Sequence, residues 1–340
     1  MPLTNVKIVP GFNKADTPSG AEGQWIDGDF VRFRYGQPEK IGGFTAIGQE
    51  TISGPTRAQH TWTDLEGNRY AALGTSKALY IYFEDKFYDV TPLTTAITGA
   101  TFTSTNGSNT VTVNKTSHAL DVGEYITFTS VTLPGGGATS FTVANFQDFT
   151  YEVLTAPNAN TFTIQMKSNE TGTGMSSAGS ASINPYEEIG PTIQTYGYGW
   201  GTGTWSRGTW GSATTSSSVV LDPGSWSLDN FGEQLIATVK DGKTFVWNPG
   251  VSNPLEQRAV VMAGAPTATR LTITSDRDRH VFHFGTETTI GDSTTQDPMF
   301  IRFSDQENYS VYQPTSVNTA GTFRLDTGNK IVAAVSGKDY

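Results

Sequence analysis

The feature that most constrains this chain is a succession of short β-branched and aromatic runs separated by turn residues. The 340 residues include 37 glycines, and aromatic residues make up 11% of the composition. Runs of Ala, Leu and Glu with the 3.6-residue period of a helix are scarce. Many short strands separated by Gly, Asn, Asp and Pro are typical of β-sandwiches, barrels and propellers. The sequence therefore predicts an all-β protein.

Two segments share a design that suggests a repeat. "WTDLEGNRYAALGTSKALYIY" runs from Trp62 to Tyr82, and "WSLDNFGEQLIATVKDGKTFVW" runs from Trp226 to Trp247. Each begins with Trp, passes a turn, forms a strand, turns over a Lys-containing loop and ends in an aromatic strand. "RDRHVFHFGT", "MFIRFSD" and "NKIVAAVSGKDY" are interpreted as further copies. Paired antiparallel strands that cannot bury themselves alone indicate propeller blades. An irregular β-sandwich with coincidental hairpins is the alternative.

Between these segments the composition changes. From about Thr98 to Ile183 the chain is rich in Thr and Ser and poor in charge, and Pro92 and Pro185 lie near its edges. This change of composition predicts a small β-barrel or sandwich inserted into the propeller-like body. The expected organisation is N-terminal propeller strands in 1–97, the inserted module in 98–187 and the remaining blades in 188–340.

Within the predicted module, two stretches are expected to form hairpins. "NTVTVNKTSHALDVGEYITFTSV" predicts two strands joined by a tight turn at Val122-Gly123-Glu124. "YEVLTAPNANTFTIQM" predicts a strand, a turn through Pro157-Asn158-Ala159-Asn160, and a second strand. In that second strand Phe162 and Ile164 alternate with polar residues, which predicts one buried face and one solvated face.

Charge and cysteine content exclude several classes of function. With 22 basic and 32 acidic residues the net charge is −10, which argues against a surface that binds nucleic acid by neutralising phosphates. The absence of cysteine excludes disulfides, thiolate catalysis and cysteine zinc sites. The N-terminus lacks the apolar core of a signal peptide, and no run approaches the roughly 20 apolar residues that span a bilayer. We expect no membrane-spanning segment and synthesis in a cytoplasm.

The residues that could carry chemistry are few. His280 and His283 form a His-x-x-His pattern, but the surrounding residues alternate as in a strand, which places the two imidazoles on opposite sides. The mixed-charge run Asp276–Arg279 is typical of a solvated turn. The glycine-rich stretch from Thr132 to Ser140 lacks the following Lys-Ser/Thr and helix of a phosphate-binding loop. No metal, cofactor or catalytic residue is predicted.

The stretch "YGYGWGTGTWSRGTWGS" alternates aromatic residues with glycine and contains Trp200, Trp205 and Trp210. One interpretation is an aromatic platform for a sugar, because Trp and Tyr offer flat faces with a polar edge. The other is a glycine-rich linker whose aromatic side chains anchor it across a neighbouring domain or subunit. The linker is preferred, because the stretch lies where the inserted module should rejoin the blades.

Three pieces of the chain resemble the tail nozzle family of short-tailed bacteriophages, also known as phage stabilisation or tail tubular proteins. They are "QWIDGDFVRFRYGQPEKIGGF", "SWSLDNFGEQLIATVKDGKTFVWNPG" and "FIRFSDQENYSVYQPTSVNTAGTFRLDTGNKIVAAV", together roughly a quarter of the chain. The resemblance implies a propeller-like virion subunit, six copies of which ring the DNA exit channel between the portal-side adaptor and distal tail proteins. It implies passage of genomic DNA and no enzymatic activity.

Members of that family continue past the point where this chain stops, at Tyr340, inside an apparent strand. Either a C-terminal part is missing, or this member is short and its propeller is open. The competing hypothesis is a tail-associated propeller that binds or hydrolyses host glycans, with Trp200, Trp205 and Trp210 lining the saccharide site.

The segment "WIDGDFVRFRYGQPEKIGG" places Arg32 and Arg34 inside a strand of an acidic chain. Alternation puts both arginines on one face, with Val31, Phe33 and Tyr35 on the other. We expect the arginines to contact carboxylates or an adjacent subunit, because the planar guanidinium can bind a carboxylate through two hydrogen bonds. Phosphate binding is the alternative.

The carboxylates expected to receive these arginines are Asp27, Asp29 and Glu39. Gly36, Gly42 and Gly43 are expected at turns that need positive φ or a close backbone approach.

Overall fold

The structure, a computed structural model, describes residues 8–43, 45–46, 51–193 and 222–337. Contacts divide the chain into two units, Met1–Gln49 and Glu50–Tyr340. The described residues of both units are strands, turns and loops, with a single short α-helix and two 3₁₀ turns among them, which confirms the all-β prediction. The expected division into 1–97, 98–187 and 188–340 stays a prediction.

The first unit contains two small strand pairs. Its strands are β1 Val9–Phe12, β2 Gln24–Trp25, β3 Val31–Arg34 and β4 Gln37–Lys40. β1 and β2 pair in parallel, and β3 and β4 form an antiparallel hairpin. Phe33 packs against Phe12, with ring centroids 5.2 Å apart, and lies 6.5 Å from Trp25.

Tyr35 and Gly36 form the turn of the β3–β4 hairpin. Tyr35 has φ of 50° and Gly36 has φ of 78°, the two consecutive left-handed residues of a tight hairpin turn. Tyr35 is therefore 91% exposed in the turn, and the prediction that it packs with Val31 and Phe33 is wrong.

The expectation for the three glycines holds at one position. Gly36 needs its positive φ. Gly42 and Gly43 are not in the left-handed region, and a Cβ on either would meet open space, so the expectation there is wrong. The reason is that the Tyr35-Gly36 turn alone reverses the chain.

The second unit begins with a four-stranded antiparallel sheet, the first sheet. Its strands follow one another in chain order: β5 Thr56–Thr63, β6 Arg69–Thr75, β7 Leu79–Phe83 and β8 Lys86–Asp89. The burial of alternate residues on β6 and β7 shows that one face of this sheet is packed and the other is half exposed.

The module that follows is a curled, antiparallel, seven-stranded sheet. Its elements are β9 Ile97–Thr103, β10 Thr110–Asn114, β11 Tyr125–Thr132, α1 Val143–Gln147, β12 Tyr151–Glu152, β13 Thr155–Asn158, β14 Thr161–Gln165 and β15 Ala178–Pro185. The strand order is β12-β11-β15-β9-β10-β14-β13. Its core is a cluster of its own, in which the rings of Phe102 and Phe146 are 4.4 Å apart.

One of the two expected hairpins is present. Phe162 and Ile164 are fully buried and alternate with less buried residues on β14, as expected, and β13 and β14 are joined by a two-residue turn. β10 and β11 do not pair, because β9 and β15 lie between them. The buried His118 holds their connection against the β13–β14 turn, since its Nε2 lies 3.0 Å from the Asn158 carbonyl oxygen.

The chain leaves and rejoins the body at neighbouring points. The amide of Thr94 donates to the Pro185 carbonyl, and the amide of Glu187 donates to the Pro92 carbonyl, both at 2.9 Å. This proximity is what an insertion requires. Independent folding of the module stays a prediction.

Two more four-stranded antiparallel sheets complete the described body. The second sheet is β16 Trp226–Phe231, β17 Gln234–Val239, β18 Thr244–Trp247 and β19 Val260–Val261. The third is β20 Leu271–Ser275, β21 His280–Phe284, β22 Phe300–Phe303 and β23 Gly321–Arg324. The 3₁₀ turns are Pro254–Glu256 and Ser293–Thr295.

The three sheets stack in chain order through their first strands. β16 lies against β5 on one side and β20 on the other, and these first strands make the closest approaches between sheets. Four-stranded sheets in which each strand pairs with the next, stacked through their first strands, form a propeller-like body. The predicted fold class is confirmed.

The two segments that suggested a repeat contain corresponding pairs of strands, but their tryptophans do not correspond. β6 and β7 correspond to β17 and β18, but Trp62 lies near the end of β5 whereas Trp226 begins β16, so the two tryptophans are not equivalent. "RDRHVFHFGT" and "MFIRFSD" contain neighbouring strands of one sheet rather than separate copies. The described part of the last segment, 329–337, contains no strand.

We expect Gly36→Ala to destabilise the β3–β4 hairpin by about 1 kcal/mol, because an L-residue is strained at this φ. Gly43→Ala, the matched control, should change nothing. Hydrogen exchange of peptides covering β3 and β4 measures both. Equal protection in the two variants would contradict the turn assignment.

Replacing residues 97–184 with a short Gly-Ser linker should leave the three sheets able to unfold cooperatively, because the ends of the module are already paired through Pro92 and Pro185. Urea unfolding followed by tryptophan fluorescence is the measurement. A broad, non-cooperative transition would show that the module and the sheets fold only together.

Candidate functional site

The two arginines of the hairpin have different partners. Arg32 and Glu39 lie opposite each other on β3 and β4, and Arg32 donates from Nε to Oε2 at 3.3 Å and from Nη2 to Oε1 at 3.2 Å. Arg34 shares that face, and its guanidinium carbon lies 5.3 Å from the Tyr35 ring centroid. Among the described residues Arg34 makes no ion pair. Contact of either arginine with another subunit stays a prediction.

The other two expected carboxylates do not receive these arginines. Asp27 accepts from Lys14 at 2.5 Å, and this bond is the main reason that the pKa of Asp27 is lowered. Trp200, Trp205 and Trp210 lie outside the described residues, so the platform and linker interpretations both stay predictions.

His280 and His283 lie on opposite faces of β21, as strand alternation predicts. His283 is fully buried, with Nε2 2.9 Å from the Tyr312 hydroxyl oxygen, and burial together with the nearby Arg302 charge lowers its pKa to about 3. His280 Nδ1 instead lies 2.8 Å from the Ser304 carbonyl oxygen. Within the described ranges, no three His, Asp or Glu side chains are grouped as metal ligands.

The glycine-rich loop of the module surrounds a carboxylate that belongs to the protein itself. Glu170 is fully buried, and its Oε1 accepts from the Ser140 amide at 2.6 Å, the Ser140 hydroxyl at 2.8 Å and the Gly172 amide at 2.9 Å. Its Oε2 accepts from the hydroxyls of Thr139 at 2.7 Å and Ser104 at 2.9 Å.

Hydrogen bonds decide the ionisation of Glu170. Burial by itself would raise its pKa, but the donors from Ser140, Thr139 and Gly172 lower the pKa to about 2. Glu170 is therefore an ionised carboxylate that closes the loop onto the sheet. Sequence reasoning did not find it; the available signal was a lone acid beside Gly172 and Gly174 in a charge-poor stretch.

A second polar cluster joins the module to the first two sheets. Arg258 donates to Asp89 at 3.3 Å and to the Tyr186 hydroxyl at 3.1 Å, and its guanidinium lies 4.8 Å from the Tyr186 ring centroid. The Tyr186 hydroxyl donates to Asp89 and lies 2.8 Å from the Thr150 hydroxyl. Burial, and then the Asp89 charge, raise the pKa of Tyr186, so this phenol stays neutral and holds the junction as a hydrogen-bond donor.

Buried carboxylates in the body also serve the fold. Glu287 is fully buried and accepts from the amide and hydroxyl of Thr267 and from the amide of Gly291. Like Glu170 and Asp89, it is surrounded by donors of the protein. The arrangement is suited to holding loops and sheets in place.

Comparisons with known proteins assign the chain to no family at the level of sequence. No family model matches the chain, and no curated protein matches it significantly. Among solved structures the chain is similar to the phage phi92 endosialidase, with 12% identity and a TM-score of 0.23 over 87% of this chain. The match spans 41% of the endosialidase chain. At this TM-score nothing about fold or activity is drawn from it.

In the part of the chain that the structure describes, no helix has the length and apolar character needed to cross a membrane.

We expect Glu170→Gln to destabilise the module by about 2 kcal/mol at neutral pH, because an amide replaces an acceptor of charge-assisted hydrogen bonds. The folded pKa lies below the ordinary value of 4.5, so this contribution is fully present above pH 4.5 and is lost as the pH falls toward 2. The difference between wild type and variant should therefore shrink below pH 4.5.

Hydrogen exchange of peptides covering β9 and β14, measured at pH 7 and near pH 3, tests this expectation. Asp121→Asn, at an exposed position of the same module, is the control. A difference that does not change with pH would show that Glu170 contributes through shape and not through charge.

Proposed function

We propose that this protein is a structural component of a short bacteriophage tail: a ring-forming nozzle around the DNA exit channel. The observation that supports it most is where the family-like pieces lie. They contain the β3–β4 hairpin, β16 to β18, and β22 to β23, which are framework strands of the two units. The resemblance is thus to an architecture and not to a catalytic motif.

The mechanism is mechanical. Several copies close a ring, the ring joins the portal-side connector to distal tail parts, and the packaged genome passes through it during infection. The net charge of −10 lets DNA pass through the ring without being bound, because an acidic surface repels the phosphates. Such a surface does not neutralise phosphates, so it releases no counterions that would strengthen binding. The hydrogen bonds by which Glu170 and Glu287 hold their loops give each copy of the ring a fixed shape.

The proposal has further parts that follow the family. The ring contains six copies, its neighbours are an adaptor or portal-side protein and distal tail proteins, and the protein resides in the virion after synthesis in the host cytoplasm. It performs no catalysis. Arg32 serves the ring by fixing the hairpin through Glu39.

Electron microscopy of the purified protein tests the proposal. We expect closed rings with a central opening wide enough for duplex DNA. Particles that stay monomeric at all concentrations, or a preparation that hydrolyses bacterial surface polysaccharide, would contradict it.

The same preparation should show no saturable binding of duplex DNA at physiological salt, because its surface is predominantly acidic. Arg32→Ala with Arg34→Ala should not change the titration, and Arg69→Ala serves as the control at another exposed arginine. Tight, salt-sensitive binding that the hairpin variant abolishes would show a DNA-gripping function instead.

A further inference from the structure

The turn between β9 and β10 of the module contains the sequence of this chain that is most reactive toward deamidation. Asn106-Gly107 is the only asparagine followed by glycine in the 340 residues. The backbone nitrogen after an asparagine can attack the side-chain carboxamide carbon, which closes a five-membered succinimide ring and expels ammonia. Glycine at the following position favours this attack, because no Cβ hinders the approach of its nitrogen.

Burial does not protect this pair of residues. Thr105, Asn106 and Gly107 are all exposed, so water reaches the reacting atoms. Gly107 has φ of 79°, in the left-handed region that favours glycine, and the Ser108 amide closes the turn by donating to the Thr105 carbonyl at 3.1 Å. Any protection of Asn106 from deamidation must therefore come from the hydrogen bonds of the turn.

Both reacting groups are held by hydrogen bonds to one neighbouring segment. The Gly107 amide, whose nitrogen is the nucleophile, donates to the Glu170 carbonyl at 2.7 Å. The Asn106 carboxamide, which is the group attacked, donates from Nδ2 to the Gly172 carbonyl at 2.7 Å and to the Thr171 carbonyl at 3.3 Å. Cyclisation needs the Gly107 nitrogen to lose its proton and approach the carboxamide carbon, so these bonds must break first.

The segment 170–172 that accepts these bonds is fixed by the buried carboxylate of Glu170. That carboxylate accepts from Ser104 on the Asn106 side and from Ser140 on the side of the glycine-rich loop. The Glu170 amide also donates to the Ser108 carbonyl at 2.8 Å, which brackets the turn from its other end. The turn is thus released from segment 170–172 only when the contacts of Glu170 open.

We propose that Asn106 is a modification site of the module, which stays unreacted while the Glu170 contacts are closed and deamidates when they open. In the open turn the Gly107 nitrogen forms a bond to Asn106 Cγ and gives its proton to solvent. The bond from Cγ to Nδ2 breaks, and the amide nitrogen leaves as ammonia. Water then adds to one of the two succinimide carbonyl carbons, and the ring opens to aspartate or to isoaspartate.

The reaction makes the opening of the turn permanent. An aspartate at position 106 has no N–H to donate, so its carboxylate would face the Thr171 and Gly172 carbonyl oxygens and be repelled by them. Isoaspartate in addition lengthens the backbone by one atom inside a tight turn. The inference concerns one turn within a single copy, so it does not depend on the proposed ring.

Peptide mass spectrometry after incubation at mildly alkaline pH measures the rate at which Asn106 deamidates. We expect the rate to be lowest in the folded protein and highest in the protein unfolded by urea. Glu170→Gln should raise the rate of the folded protein about tenfold or more, because weaker hydrogen bonds increase the population of the open loop. Ser104→Ala, which removes a single donor to Glu170, should raise it less.

Two controls accompany these rates. Asp121→Asn, at an exposed position of the same module, should leave the rate at Asn106 unchanged. Asn109, in the same connection but followed by Thr110, should deamidate slowly in every sample, because the threonine side chain hinders its backbone nitrogen.

Asn106→Asp tests whether the product keeps the turn open. Hydrogen exchange of peptides covering 104–108 and 170–174 should be faster in this variant than in the wild type, because the two bonds donated by the Asn106 carboxamide are lost. Asn109→Asp adds the same charge to the same connection and is the matched control. Its exchange in both peptides should equal that of the wild type.

Each part of the inference has an outcome that would overturn it. Deamidation of the folded wild type as fast as in urea would show that the turn does not protect Asn106. A rate that neither Glu170→Gln nor Ser104→Ala raises would show that the Glu170 contacts do not control the reaction. Wild-type exchange in Asn106→Asp would show that the modified turn closes again.

Discussion

The packing of the second sheet between two others is the constraint on which the described body depends. The indole of Trp226 lies directly over Gly74, where a Cβ would come within 2.6 Å of the ring, and its Nε1 donates to the Thr75 carbonyl at 3.0 Å. On the other side Asp229 accepts from the Thr274 amide at 2.7 Å. Since both faces are covered, every residue of β18 is buried and the strand has no polar alternation.

The two interfaces of that sheet use different chemistry. The first is aromatic: Trp247 lies 6.2 Å from Trp62 and 5.5 Å from Tyr70, centroid to centroid. The second combines an apolar cluster, in which Ile236 and Val246 pack with Val281 of the third sheet, with buried polar contacts such as the Thr238 and Thr272 hydroxyls, which lie 2.7 Å apart.

The polar contacts that hold the module and its loop are consistent with the proposed mechanical role. Asp89, Tyr186 and Arg258 join the module to two sheets at one point, and Glu170 ties the loop of the module to its own strands. In both places a charged side chain, Arg258 or Glu170, holds separate segments of the chain together. A conduit for DNA needs a fixed shape and an acidic surface more than it needs a reactive group.

The alternation of residue types along the sequence correctly predicted which side chains share a face within a single strand. Alternation correctly predicted that Phe162 and Ile164 are buried on β14 and that His280 and His283 face opposite ways, because side-chain direction in a strand depends only on neighbouring residues.

Patterns could not predict contacts between residues distant in sequence. The separation of β10 from β11 depends on β9 and β15, which pair across the module. The mismatch of Trp62 and Trp226 follows from a longer turn after β5 than after β16. Apart from the Gly172 amide, the donors around Glu170 come from segments about 30 and 66 residues away, so no short window contains that site.

A cryo-electron microscopy reconstruction of the assembled protein, at a resolution that traces strands, tests the central claim most directly. The account predicts a closed ring of several copies with a central opening wide enough for duplex DNA, in which the second sheet of each copy lies between its first and third sheets. An assembly without a central opening, or one in which the three sheets of each copy do not stack in chain order, would contradict it.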